Sequence, residues 1–232
     1  MRTALITGTN RGIGLEFVRQ YAKDGWRVFA CCRNPATAEA LNRLAAQYPD
    51  QITIHPLDVT SHHQIEQLSQ ALSNQTIDLL INNAGIYPPE HGDAFGATDY
   101  AAWAYAFAVN TMAPLKMAEA FIQQISTSQL KTIITITSKM GSIADNRGGG
   151  SYIYRSSKAA VNIVMKSMSI DLDSSRITAV LLHPGWVRTD MGGPNALITA
   201  EQSVTGMRRV ISNLKFADSG KFYAFDDQIV PW

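Results

Sequence analysis

No stretch of the chain is long and apolar enough to cross a bilayer; the longest apolar runs, such as "ITAVLLHPGW", are strand-length. The opening "MRTALITGTN" offers too little apolar sequence for a signal peptide before glycine interrupts it. Cysteine is nearly absent. Cys31 and Cys32 are adjacent, a geometry too strained for a mutual disulfide, so the expected setting is a reduced cytoplasm, with both thiols acting as small buried residues in a strand. The five histidines show no metal-ligand spacing, and no metal is expected. An excess of charge of one sign is missing too. Lys plus Arg number 20 against 19 Asp plus Glu, for a net charge of +1, which leaves no field to favour nucleic acid or an anionic membrane as a partner. Linkers, low-complexity tracts and internal repeats are all lacking, so residues 1–232 are expected to form one domain, large enough for a packed core.

What is present is an alternation. Short apolar runs ("TALITG", "WRVFACC", "QITIHPLDV", "IDLLINNAG", "KTIITITS", "RITAVLLHPG" and a last short "KFYAF") read as strands. Between them lie helical patterns, including long ones over roughly 100–125 and 151–171 and a late one in "AEQSVTGMRRVISN". Continuously apolar strands separated by helices imply parallel strands buried on both faces. With right-handed crossovers, the expected fold is a single-domain, doubly wound α/β sheet of about seven strands, of Rossmann type, with helices on both faces.

The first strand meets the first helix through "TGTNRGIG". Gly8, Gly12 and Gly14 are spaced G-x-x-x-G-x-G, which is not the G-x-G-x-x-G fingerprint, but the strand–turn–helix context is the same. Such a loop turns sharply, lets backbone approach a pyrophosphate and aims helix N–H groups at it. About 20 residues on, a unit selective for NAD carries an acid for the ribose 2′-hydroxyl. Here the segment is "FACCRNP", with Arg33 and no acid, and Arg11 stands within the loop. Guanidinium forks suit a 2′-phosphate, so NADP(H) is expected in preference to NAD(H).

The stretch "SYIYRSSK" holds two tyrosines and a lysine. In a helix, Lys158 at i+4 lies about 40° round from Tyr154 but about 240° round from Tyr152. An ammonium beside a phenol favours the phenolate and lowers a pKa that is otherwise near 10. Geometry therefore selects Tyr154 as an acid–base group, and leaves Tyr152 on a pocket rim or at an interface.

Taken in order, "TGTNRGIG", "NNAG" at 82–85, "YRSSK" at 154–158 and "HPGWVRTDM" make the chain resemble the short-chain dehydrogenase/reductase family over nearly its whole length. "CCRNP", "SKMGSI" and the final "VPW" make it most similar to the carbonyl-reductase branch that includes the C-factor and sniffer proteins. The resemblance implies a catalytic set of Asn110, Ser138, Tyr154 and Lys158. It implies cofactor contacts from Gly8, Asn10, Arg11, Gly12, Ile13 and Gly14, from Arg33, Asp58 and Val59, and from Asn82, Ala84 and Gly85. Tyr154, Lys158, Pro184, Gly185, Val187 and Thr189 complete that set. In these roles Ser138 positions a carbonyl oxygen, Lys158 also contacts the nicotinamide ribose, and Asn110 orients a water in a proton relay.

Tyr87, Met140, Ile143 and Trp186 are candidates for an apolar substrate wall, or for ordinary packing. The segment "KMGSIADNRGGGSYI" is longer than the family pattern and glycine-rich, and the stretch after Thr189 looks short for a lid, so an open cleft is expected. The implied activity is NADP(H)-dependent hydride transfer between the nicotinamide and a small carbonyl or secondary alcohol, in a homodimer or homotetramer. The competing readings are an NAD-dependent alcohol dehydrogenase and a C-factor-like signalling or redox-sensing protein with little turnover.

Overall fold

The computed structural model describes residues 1–88 and 92–232. Strands β1 (Thr3–Thr7), β2 (Arg27–Cys32), β3 (Ile52–Pro56), β4 (Leu79–Asn82), β5 (Thr132–Ile136), β6 (Thr178–His183) and β7 (Phe222–Ala224) form one sheet. Its order is β3-β2-β1-β4-β5-β6-β7, and every neighbouring pair is parallel. The helices are α1 (Gly12–Lys23), α2 (Glu39–Gln47), α3 (His62–Ala71), α4 (Tyr100–Phe107), α5 (Ala113–Ser126), α6 (Tyr152–Asp171) and α7 (Ala200–Asn213).

Strand alternation divides the apolar residues between two cores. Leu5, Leu80, Ile133 and Leu181 face α3, α5 and α6, where Ile65, Phe121, Val161 and Met165 pack. Ile6, Ile81, Ile134 and Leu182 face α1, α2 and α7, meeting Phe17, Leu41, Val204 and Met207. Every residue of β1, β4 and β5 is buried, as strands covered on both faces require. At the edge, only Ile52 of β3 is buried. Cys31 and Cys32 are free and buried in β2. Among the described residues, no helix is long and apolar enough to cross a membrane.

The sheet order reverses direction between β1 and β4, so the crossovers on either side leave a crevice at the carboxyl ends of these strands. One sequence expectation changes here. The helix expected over 100–125 is interrupted by a π-type turn at Ala108–Met112, which splits α4 from α5. The expected helix over 151–171 is a single 20-residue helix starting at Tyr152.

Candidate active site

A cleft of about 500 Å³ opens at that switch point. Its floor is the β1–α1 loop. Gly8 sits at φ +70°, and a Cβ there would come within 2.8 Å of Ala84 Cα. A Cβ on Gly14 would stand 2.1 Å from the Gly8 carbonyl oxygen, so the first turn of α1 can lie on the loop only as glycine. The Asn83 amide donates to the Thr7 and Gly8 carbonyls at 2.9 and 3.0 Å and braces the turn from β4. The amino end of α1 carries no acidic side chain in its first turn, leaving its N–H groups to an anion.

Arg11 and Arg33 line the same cleft and are exposed. Arg11 is already paired with Asp190 at 2.7 Å, both side chains being more than two-thirds exposed. Asp58 lines the cleft with one carboxylate oxygen held by Thr60, whose N–H and hydroxyl donate at 2.9 and 2.7 Å. Shape, helix end and cations together fit a dinucleotide carrying an extra phosphate.

The other end of the cleft is built by β5, α6 and the π-type turn. Ser138 leaves β5 and caps the 3-10 turn Lys139–Gly141, its hydroxyl accepting from Met140 N at 3.1 Å. Tyr154 and Lys158 are buried one turn apart on α6. Lys158 is 5% exposed; its ammonium lies 5.8 Å from the centre of the Tyr154 ring and donates to the Ile136 carbonyl at 3.1 Å. Asn110 accepts from Ile86 N at 2.9 Å and donates to Ile86 O and Ser157 Oγ, both at 3.0 Å. Between Asn110 and Lys158 stands Gly85, where a Cβ would be 3.3 Å from the Asn110 oxygen and 3.5 Å from Lys158 Nζ. The four residues thus meet in one place from three separate elements.

Burial sets their protonation. It pushes the Tyr154 phenol up to about 12, with the Ser138 hydroxyl working in the opposite direction, and pulls the Lys158 ammonium down to about 8. The expected lowering of the tyrosine pKa is therefore corrected. Desolvation is the dominant cause, and the Lys158 ammonium, 5.8 Å from the ring centre, does not reverse it.

The family model for short chain dehydrogenases matches residues 2–197. The chain belongs to the short-chain dehydrogenase family. It is 46% identical over 156 residues to the C-signal of Myxococcus xanthus, an alignment covering 67% of this chain and 93% of the relative. Among solved structures, an NADPH-bound carbonyl reductase from chicken fatty liver superposes with a TM-score of 0.92 at 35% identity, covering 100% of this chain and 99% of the other. The carbonyl reductase Sniffer of Drosophila melanogaster does so with 0.91 at 32% identity, covering both chains fully. The chain accordingly lies on the carbonyl-reductase branch of the family.

Most of the sequence-selected residues line the cleft: Gly8, the loop from Asn10 to Gly14, Arg33, Asp58, Val59, Ala84, Gly85, Tyr154, Lys158, Pro184 and Thr189, while Asn110 and Ser138 lie behind its lining. Asn82 does not. It ends β4 buried, its amide donating to Pro114 O at 3.2 Å, and the adjacent Asn83 lines the cleft. Gly185 and Val187 are likewise not among the residues lining the cleft. A Cβ on Gly185 would strike Ile198 and Phe225, while Val187 is buried and bridges to Ile198.

Of the four candidates for an apolar substrate wall, none is among the residues lining the cleft. The Tyr87 ring packs tilted against Tyr154, 4.5 Å between ring centres, but Ile143 is 80% and Trp186 52% exposed, and Met140 is only half-buried. The glycine-rich segment is exposed, with nothing within 4 Å of a Cβ on Gly148, Gly149 or Gly150. Sequence reasoning missed Gly141, Asn83, Asp190 and Asn162. Asn162 accepts from Thr137 Oγ1 at 2.7 Å and donates to Gly141 O at 3.3 Å. Gly141 was visible within "SKMGS", but its contact is tertiary. Among the described residues, no three His, Cys, Asp or Glu gather as a metal site.

The buried ammonium has a thermodynamic consequence. Lys158 binds its proton less tightly in the fold than in the unfolded chain, so its stability contribution is complete only above the unfolded value near 10.5 and is lost as pH falls through about 8. Lys158→Met removes that penalty. The substitution is expected to raise unfolding stability at pH 7 by roughly 3 kcal/mol, on the scale of about 1.4 kcal/mol per pKa unit. Urea midpoints at pH 7 and pH 10 check this, and the gain should shrink at the higher pH.

Proposed function

We propose that the protein is an NADP(H)-dependent reductase of small carbonyl compounds, with Tyr154 as the proton donor. The observation that carries this reading is the meeting of Asn110, Ser138, Tyr154 and Lys158 beside a glycine-loop cleft that also presents Arg11 and Arg33. Bound there, NADPH supplies the hydride. Ser138 holds the substrate oxygen by a hydrogen bond, an action of positioning and polarisation. Tyr154, whose pKa lies well above neutrality, carries its proton at pH 7 and gives it to that oxygen. Lys158, still mostly charged at pH 7, steadies the phenolate left behind. Asn110, fixed on the Ile86 backbone, orients a water toward Lys158 for reloading the proton.

Arg33 and Arg11 select the 2′-phosphate. The exposed Arg11–Asp190 pair contributes only about 0–1 kcal/mol, so Arg11 stays free to exchange its partner. The NADPH and NADP bound in similar carbonyl reductases support the same preference. A second reading, a signalling protein with little turnover, is favoured by the similarity to C-signal. NADPH binding without oxidation across a broad carbonyl panel would favour it.

Tyr154→Phe is expected to lower kcat by about 10²- to 10⁴-fold, the usual contribution of a general acid, while NADPH still binds. Tyr152→Phe, on an exposed face, should retain most activity; equal losses in the two variants would overturn the assignment. Wild type should show a higher kcat/KM with NADPH than with NADH, and Arg33→Asp should narrow or invert that ratio. We also propose a homodimer or homotetramer. Met112, Ile163 and Ile170 are exposed, and Leu115, Val164 and Met168 line a shallow depression on α5 and α6. Light scattering that gives a monomer mass near 25.4 kDa would exclude it.

A further inference from the structure

We infer that Asp93 is a positioning residue of the active site, capping from the β4–α4 connection the helix that carries Tyr154 and Lys158. This rests on the proposed role of Tyr154. Helix α6 begins without a cap of its own. Its flanking residue, Ser151, is in the left-handed region at φ +48° and ψ 46°, and its side chain accepts no bond from the first turn. No acidic side chain stands in that turn either. The first N–H groups of a helix have no partner inside it, and a buried one needs an acceptor from elsewhere.

Ile153 is fully buried, and its N–H donates to Asp93 Oδ1 at 2.7 Å, across 60 residues of sequence. A carboxylate there also complements the positive end of the helix dipole. Two further bonds join the same region of chain to the start of α6. Tyr87 OH and Ser151 Oγ share a hydrogen bond of 3.1 Å, and Trp103 Nε1 donates to Ser156 Oγ at 2.8 Å. Tyr154 follows Ile153 directly, and the Tyr87 ring lies against the phenol. The cap therefore acts on the residue next to the proton donor, and fixes the height and rotation of the turn that presents it to Ser138.

The test compares wild type with Asp93→Ala, which removes the acceptor, and Asp93→Asn, which keeps an oxygen in place. Amide hydrogen exchange is read over the first turn of α6, with steady-state kinetics and NADPH fluorescence titration. The expected result for Asp93→Ala is faster exchange at Ile153 and Tyr154, with kcat lowered by about 10- to 100-fold, the scale of a small misplacement of a reacting group. NADPH affinity should stay within about twofold, because the glycine loop is untouched, and Asp93→Asn should recover both exchange protection and kcat. Where the alanine variant does not fold, Asp93→Ser carries the same comparison.

Unchanged exchange in the alanine variant, an unchanged kcat, or parallel loss of NADPH binding would overturn the inference, as would an asparagine variant as impaired as alanine. If wild type reduces no carbonyl at all, the proposed function fails, and the exchange comparison alone decides whether Asp93 holds the helix.

Discussion

Helix α6 lies backbone to backbone against the turn that follows β5, and the site depends on that contact. A Cβ on Gly141 would come within 2.7 Å of the Lys158 carbonyl carbon and 2.9 Å of Ala159 N, so no other residue allows the approach. Asn162, one turn further along the helix, holds the same turn through Thr137 and the Gly141 carbonyl. Strand β5 and helix α6 are thereby locked at a fixed height. Ser138 heads the locked turn, and Tyr154 sits one helical turn before Lys158. Their meeting follows from the packing of two backbones. Distances of this kind survive thermal motion better than contacts between long side chains, because the close-packed interior has discrete rather than continuous arrangements.

The same packing removes water from two ionisable groups with opposite results. Burial favours neutral forms, so the phenol becomes a weaker acid and the ammonium a stronger one. At neutral pH the tyrosine therefore holds its proton, and the lysine still carries most of its charge. Of the two, Lys158 loses its proton first as pH rises. On the proposed reading of Tyr154 as the proton donor, a site arranged in this way keeps that donor loaded, which suits reduction of a carbonyl. Oxidation of an alcohol asks for the phenolate, which burial makes costly. The Ser138 hydroxyl, pulling the phenol in the acidic direction, is the local correction to that bias.

Much of this was legible in the sequence because it is written in short spacings. Parallel strands read as continuous apolar runs, and six of the seven strands in the sheet have such runs. The four-residue interval from Tyr154 to Lys158 selects one tyrosine by helix geometry alone. The glycine loop was legible through its strand–turn–helix context. Asn82 was selected from the sequence while its neighbour Asn83 lines the cleft, for a reason that is equally physical. Successive residues at a strand end face opposite sides, and which side carries the cleft depends on the sheet order. Gly141, Asp190 and Asp93 escaped because each acts on a partner far along the chain, and no local periodicity marks such a partner.

The break between α4 and α5 lies between these cases, since its cause is local but its use is not. In a regular α-helix the N–H of residue 114 would donate to the carbonyl of Asn110. Residue 114 is proline, which has no N–H and crowds the preceding turn. The helix relieves this by widening into a π-type turn over Ala108–Met112. Asn110 lies at the middle of the widened turn, where its side chain reaches the Ile86 backbone and Ser157. An asparagine inside a regular helix would tend to bond its own backbone; here, with the proline four residues on, it bonds the Ile86 backbone and Ser157 instead. The interval "NTMAP" thus explains why this asparagine of a long helical stretch finds its partners outside the helix.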